Sequence, residues 1–93
     1  MNITGKSGNK YEFQLPPSIE RLTERTGVYI IYDRQHRPIC IGESVNVKLK
    51  LEGSDYCDRI QQGNLYIAVH YTLRKYREAI EQDIRNLPNF SHI

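Results

Sequence analysis

Gly27-Val28-Tyr29-Ile30-Ile31-Tyr32, then Asp33-Arg34-Gln35-His36-Arg37, then Pro38-Ile39-Cys40-Ile41-Gly42 is the stretch whose reading decides the fold. β-branched and aromatic residues fill both apolar runs, and the five residues between them are polar. Such a pattern predicts an antiparallel hairpin. Leu65 to Tyr71 is β-prone as well and supplies a third strand. From Thr72 to Leu87 the residues Leu73, Tyr76, Ile80, Ile84 and Leu87 recur at spacings of three and four, which predicts a helix with one apolar stripe. Pro88 ends it.

Upstream, Thr4-Gly5-Lys6-Ser7-Gly8-Asn9 is rich in turn formers and leads into an extended segment from Lys10 to Gln14, so a small N-terminal hairpin is expected. Gly5-Lys6-Ser7 lacks the upstream glycine and preceding strand of a phosphate-binding loop. Pro16-Pro17-Ser18 starts a short helix, with Ser18 as N-cap and Gly27 as its stop. A second short helix runs from Ser54, as N-cap, to Gly63. Between these regions, Val45 to Glu52 alternates apolar and polar residues, which taken alone describes an amphipathic strand. A helix also fits: Ser44 can cap it, Val47 and Leu51 lie four apart, and Gly53 ends it.

The chain has 93 residues, enough for one domain and no second core. Hydrophobic residues make up 39% and charged residues 26%, which excludes a disordered tail. No apolar run approaches the roughly 20 residues that cross a bilayer, and Met1 to Lys10 carries no signal-peptide core, so a cytoplasmic protein is expected. Cys40 and Cys57 lack metal or redox spacing, and His36, His70 and His92 are scattered, so neither zinc nor a disulfide is expected. Net charge is only +2, but Arg34, Arg37, Lys48 and Lys50 form one basic cluster, and Arg74, Lys75 and Arg77 another. These clusters suit phosphate contacts, or simply solvated helix and turn faces.

The paired tripeptides Gly27-Val28-Tyr29 and Cys40-Ile41-Gly42, with Ile41-Gly42-Glu43-Ser44-Val45-Asn46-Val47 after the second, resemble the GIY-YIG nuclease family. Arg77-Glu78-Ala79-Ile80-Glu81-Gln82-Asp83-Ile84 and Pro88 resemble its glutamate helix and the proline beyond. The resemblance covers residues 27 to 88. It implies an α+β fold over residues 1–93: a three-stranded antiparallel sheet flanked by helices, preceded by the extra N-terminal hairpin and short helix of residues 1–26. It also makes 45–52 a helix, against the alternation.

Carried over by position, Tyr29 matches the tyrosine at the attacking water, and Glu81 matches the glutamate that holds one divalent metal, Mg²⁺ or Mn²⁺. Lys50 stands where the family has an arginine, and Cys40 where it has the second tyrosine. Lysine keeps the charge but loses the planar fork. Cysteine is too short and too weak a donor to replace a phenol. Beyond Pro88, Asn89 is out of register for the family's asparagine. The implied catalytic set is Tyr29, Lys50 and Glu81. Arg34, Arg37, Lys48, Arg74 and Arg77 are expected to bind substrate, and a homodimer or protein partner would extend a small DNA-reading surface. The function implied is a metal-dependent DNA endonuclease of reduced activity. The alternative is an inactive relative that binds nucleic acid or protein. Without a metal, an i,i+4 ion pair with Arg77 would account for Glu81.

Overall fold

The computed structural model describes residues 1–93. In chain order the elements are β1 (Asn2–Thr4), β2 (Lys10–Glu12), a 3-10 turn (Ile19–Arg21), β3 (Gly27–Tyr32), β4 (Pro38–Ser44), α1 (Val47–Glu52), α2 (Cys57–Gln61), β5 (Tyr66–Tyr71), α3 (Arg74–Arg85) and a last 3-10 turn (Pro88–Phe90). The fold is α+β. A three-stranded antiparallel sheet has the order β4-β3-β5, and β1 and β2 form a separate hairpin. No helix is long and apolar enough to cross a membrane.

The β3–β4 hairpin places Tyr29 opposite Gly42 and Ile31 opposite Cys40. Its turn is held by Asp33, whose carboxylate accepts the backbone N–H groups of Gln35 and Arg37 and the Nε–H of Arg37. These bonds offset the left-handed backbone at His36, φ 63°. On the other side of β3, Tyr29 is opposite Val69 and Ile31 opposite Ile67 of β5.

Alternation along β3 sorts the core into two layers. Tyr29 and Ile31 pack with Val47 and Leu51 of α1, Ile60 of α2, and Ile67 and Val69. Val28 and Ile30 face the other way, onto Ile41, Ala68, Ile84 of α3, Phe90 and Phe13.

Four local expectations are corrected. The helix expected from Ser18 to Gly27 shrinks to the single 3-10 turn, with no side-chain bond from Ser18, because Gly27 already belongs to β3. A Cβ on Gly27 would sit 2.6 Å from the carbonyl oxygen of His70, so this glycine serves close strand packing rather than a helix stop. The segment after β4 is helical, but its cap is Asn46, whose side chain accepts from the Leu49 N–H at 3.0 Å. Ser44 instead ends β4 and bonds to the backbone of Asn46. Ser54 does not cap α2 either: its hydroxyl donates to the Leu51 carbonyl, and α2 starts only at Cys57.

The α3 stripe holds over its second half, where Ile80, Ile84 and Leu87 pack against the core, but not over its first turn. Leu73 and Tyr76 are 61% and 48% exposed, whereas Glu81 and Ile84 are buried and Arg77 is half-buried. The helix therefore turns charged residues toward the sheet. Its opposite side anchors the N-terminal hairpin: Asp83 accepts from Ser7 N–H at 2.8 Å, Ser7 Oγ at 2.6 Å and Tyr11 Oη at 2.6 Å.

Candidate functional site

Strand β4 is one edge of the sheet, and side chains from β3, α1 and α3 gather around it. Tyr29 projects from β3 across Gly42. A Cβ on Gly42 would lie 2.4 Å from the Tyr29 hydroxyl and 2.6 Å from its Cζ, so only glycine leaves room for the ring here. Val69 exchanges both backbone hydrogen bonds with Gln14, outward from β3. The pairing pattern then alternates so that Ile41 turns its backbone away from β3, toward the free edge. Arg85 Nη2 donates to that Ile41 carbonyl at 2.8 Å.

Tyr29 and Lys50 line one groove of ≈ 430 Å³, together with Cys40, Ser54, Asp55 and Tyr56. Lys50 is exposed and Tyr29 buried. Burial is the main reason the Tyr29 phenol is pushed up to about 12, with Cys40, Glu43 and Glu81 adding to it. Tyr29 therefore stays protonated at neutral pH and can only donate or accept a hydrogen bond. Burial also raises the Cys40 thiol, while Arg85 and Lys50 pull it back down.

Glu81, alone among the charged residues, is buried. Its partner is not Arg77 but Arg85, whose Nε donates to Oε1. Arg77 is paired with Glu43 of β4 and donates from Nη1 to Thr26 Oγ1. The chain spacing allows either arginine to meet Glu81. Glu43 decides between them, because it points from β4 to the α3 face and takes Arg77.

Of the three residues expected to be catalytic, Tyr29 and Lys50 share the groove beside Gly42, whereas Glu81 does not line it and sits on the α3 side of the sheet, near enough to help raise the Tyr29 phenol. None of the expected substrate-binding cations lines this groove. Arg34 and Arg37 sit on the β3–β4 turn, exposed, with Arg37 paired to Asp33. Lys48 is half-buried on α1, and Arg74 is exposed at the start of α3. Both helices begin at the opposite end of the sheet from the turn, about 17 Å away at the rise of an extended strand. Arg77 is turned inward by its pair with Glu43, away from the solvent-facing role expected of it.

A divalent metal can be tested against the donor set. No cluster of three His, Cys, Asp or Glu side chains is present. Glu81 Oε2, however, has no protein partner, and no buried side-chain oxygen is left unbonded, so Oε2 meets solvent. One carboxylate oxygen fits a hydrated Mg²⁺ that takes its remaining ligands from water and a phosphate. Arg85 was not singled out by sequence reasoning. Its only signal was the i,i+4 spacing from Glu81. Compared with known protein families, curated proteins and solved structures, the chain gives no match.

Proposed function

We propose that the chain is a GIY-YIG-like DNA endonuclease domain of reduced catalytic strength, dependent on Mg²⁺ or Mn²⁺. What supports this most is that Tyr29 and Lys50, twenty-one residues apart, line one groove beside Gly42, with Glu81 close enough to act on the Tyr29 phenol. Tyr29, protonated, would orient a water through its hydroxyl. Lys50 would place one positive charge beside the phosphate, without the two-pronged grip of an arginine. Glu81 would hold the divalent cation through Oε2, with Arg85 fixing its other oxygen. The cation, when bound, supplies Lewis-acid polarisation of the phosphate. Cys40 occupies the place of a second phenol and contributes no comparable donor. Losing one well-placed transition-state donor costs on the order of 100- to 1000-fold, hence the reduced strength. Two free thiols, Cys40 and Cys57, suit a cytoplasmic setting.

A second reading is a silent relative that binds DNA without cutting it. The arginine pairs of Glu43 and Glu81 favour it, because each removes carboxylate capacity that a metal would use. Incubation of the pure protein with supercoiled plasmid and Mg²⁺ or Mn²⁺ separates the two. Nicking that disappears in Glu81→Gln and falls sharply in Tyr29→Phe is the expected result. Salt-sensitive binding with no cleavage under any metal supports the silent reading. Nicking that survives Glu81→Gln refutes the site assignment.

A further inference from the structure

The groove beside Gly42 counts Tyr29, Cys40, Lys50, Ser54, Asp55 and Tyr56 among its lining residues. Lys50 and Asp55, both exposed, give it one charge of each sign. An anion entering here gains little from net charge and must be held by hydrogen-bond donors. Of the side-chain donors, the Ser54 hydroxyl already donates to the Leu51 carbonyl at 2.8 Å. The Cys40 thiol is a weak donor. What remains is the Lys50 ammonium and two phenols, Tyr29 and Tyr56.

Tyr56 sits in the turn between α1 and α2 and is held there at two points. Its carbonyl accepts the Ile60 N–H at 2.9 Å, and its half-buried ring packs against the core cluster that includes Tyr29, Leu51 and Ile60. Its hydroxyl makes no bond to the protein, and neither does that of Tyr29. No buried side-chain oxygen is left unbonded, so both hydroxyls meet solvent. A buried tyrosine ordinarily finds a partner for its hydroxyl. Here two phenols in one groove both lack one, so packing orients them while their O–H groups stay free to donate. The two rings are neighbours: burial is the largest cause of the raised Tyr29 phenol, and Tyr56 is among the side chains that add to it. Packing alone would be met by a phenylalanine in place of Tyr56.

We infer that the Tyr56 hydroxyl donates a hydrogen bond to a phosphate oxygen of DNA lying in this groove, beside Tyr29 and Lys50. Tyr56 thereby contributes the neutral donor that Cys40 cannot. The inference rests on the DNA-directed reading above. A phenol carries no charge, which separates it from a cation in how salt affects binding.

Tyr56→Phe keeps the ring and deletes only the hydroxyl. Binding is read by fluorescence anisotropy of a labelled duplex of about 20 base pairs, in EDTA, across about 50–200 mM salt. The variant should bind roughly 3- to 10-fold more weakly, the effect of one lost hydrogen bond. Its log–log salt slope should stay that of wild type, because a phenol releases no counterion. Its thermal midpoint should also be unchanged, whereas Tyr56→Leu, which loses ring packing too, should melt lower. If wild type binds and Tyr56→Phe binds equally well, the ring serves packing alone and the inference is wrong, while the DNA reading stands. A Tyr56→Phe protein that melts well below wild type or fails to fold would show the hydroxyl to be bonded within the protein, and overturns the inference as well. If wild type binds but never nicks plasmid, the endonuclease reading falls and weaker binding by Tyr56→Phe still upholds the inference. If wild type does not bind the duplex at all, both fall together.

Discussion

On one face of the sheet, Tyr29 and Ile31 meet Val47 and Leu51 of α1 and Ile60 of α2. On the other, Val28 and Ile30 meet Ile84 and Phe90, but the neighbours of Ile84 along α3 are Arg77, Glu81 and Arg85. The first face is closed by hydrophobic burial. The second combines burial with two ion pairs, both reaching the β4 edge. Ion pairs removed from water are poor sources of net stability, since desolvation offsets their attraction. The ion pairs therefore add little net stability, which resides with the apolar layers.

Breaking the apolar face should do the most damage. Leu51→Ala removes a fully buried side chain from α1 and is expected to cost about 2–5 kcal/mol, read as a lower urea midpoint. On the charged face, Glu43→Gln strands Arg77, whose side chain is only 12% exposed, at a cost of about 1–3 kcal/mol. Glu43→Leu combined with Arg77→Met should regain most of it. A double variant as unstable as Glu43→Gln would show that packing, not charge, holds α3 to β4.

Gly42→Ala probes the junction between the faces by pushing against the Tyr29 ring, with an expected loss of about 1–3 kcal/mol. In a Tyr29→Leu background the same change should cost clearly less in thermal melts. Equal costs would mean that the ring does not lie over Gly42. The smallest effect belongs to the outer side of α3. Hydrogen bonds from Ser7 and Tyr11 hold the Asp83 carboxyl below its ordinary 3.8. Because the folded value is the lower one, the stabilisation is complete above the unfolded value and drains away as pH falls through the folded one. Asp83→Asn should flatten the acid limb of a stability–pH curve below about pH 4, and leave the charged face untouched.

Much of the fold was legible. The β3–β4 hairpin, β5, the N-terminal hairpin and the stop of α3 before Pro88 follow from alternation and turn chemistry, which act over a few residues. The segment after β4 was harder. Its alternation marks Val45, Val47, Leu49 and Leu51 equally, yet Val45 and Leu49 are exposed and only Val47 and Leu51 are buried. The i,i+4 pair won because it faces Tyr29 and Ile31 in the core. Of the site, Tyr29, Lys50 and Glu81 were named from the resemblance; Tyr29 and Lys50 line one groove, and Glu81 lies outside it on α3. Arg85 was missed, since an arginine four residues after a glutamate reads as an ordinary surface pair.

The sequence by itself determined which segments extend, where the chain turns and which residue types carry chemistry, because those depend on backbone preference and near neighbours. Tertiary structure alone decided that Glu81 is buried beside the α3 stripe and which arginine meets which glutamate. Hydrophobic periodicity counts apolar side chains but is blind to charge across the sheet. Glu43, on a strand more than thirty residues earlier, takes Arg77, leaves Glu81 to Arg85, and so sets what the β4 edge presents.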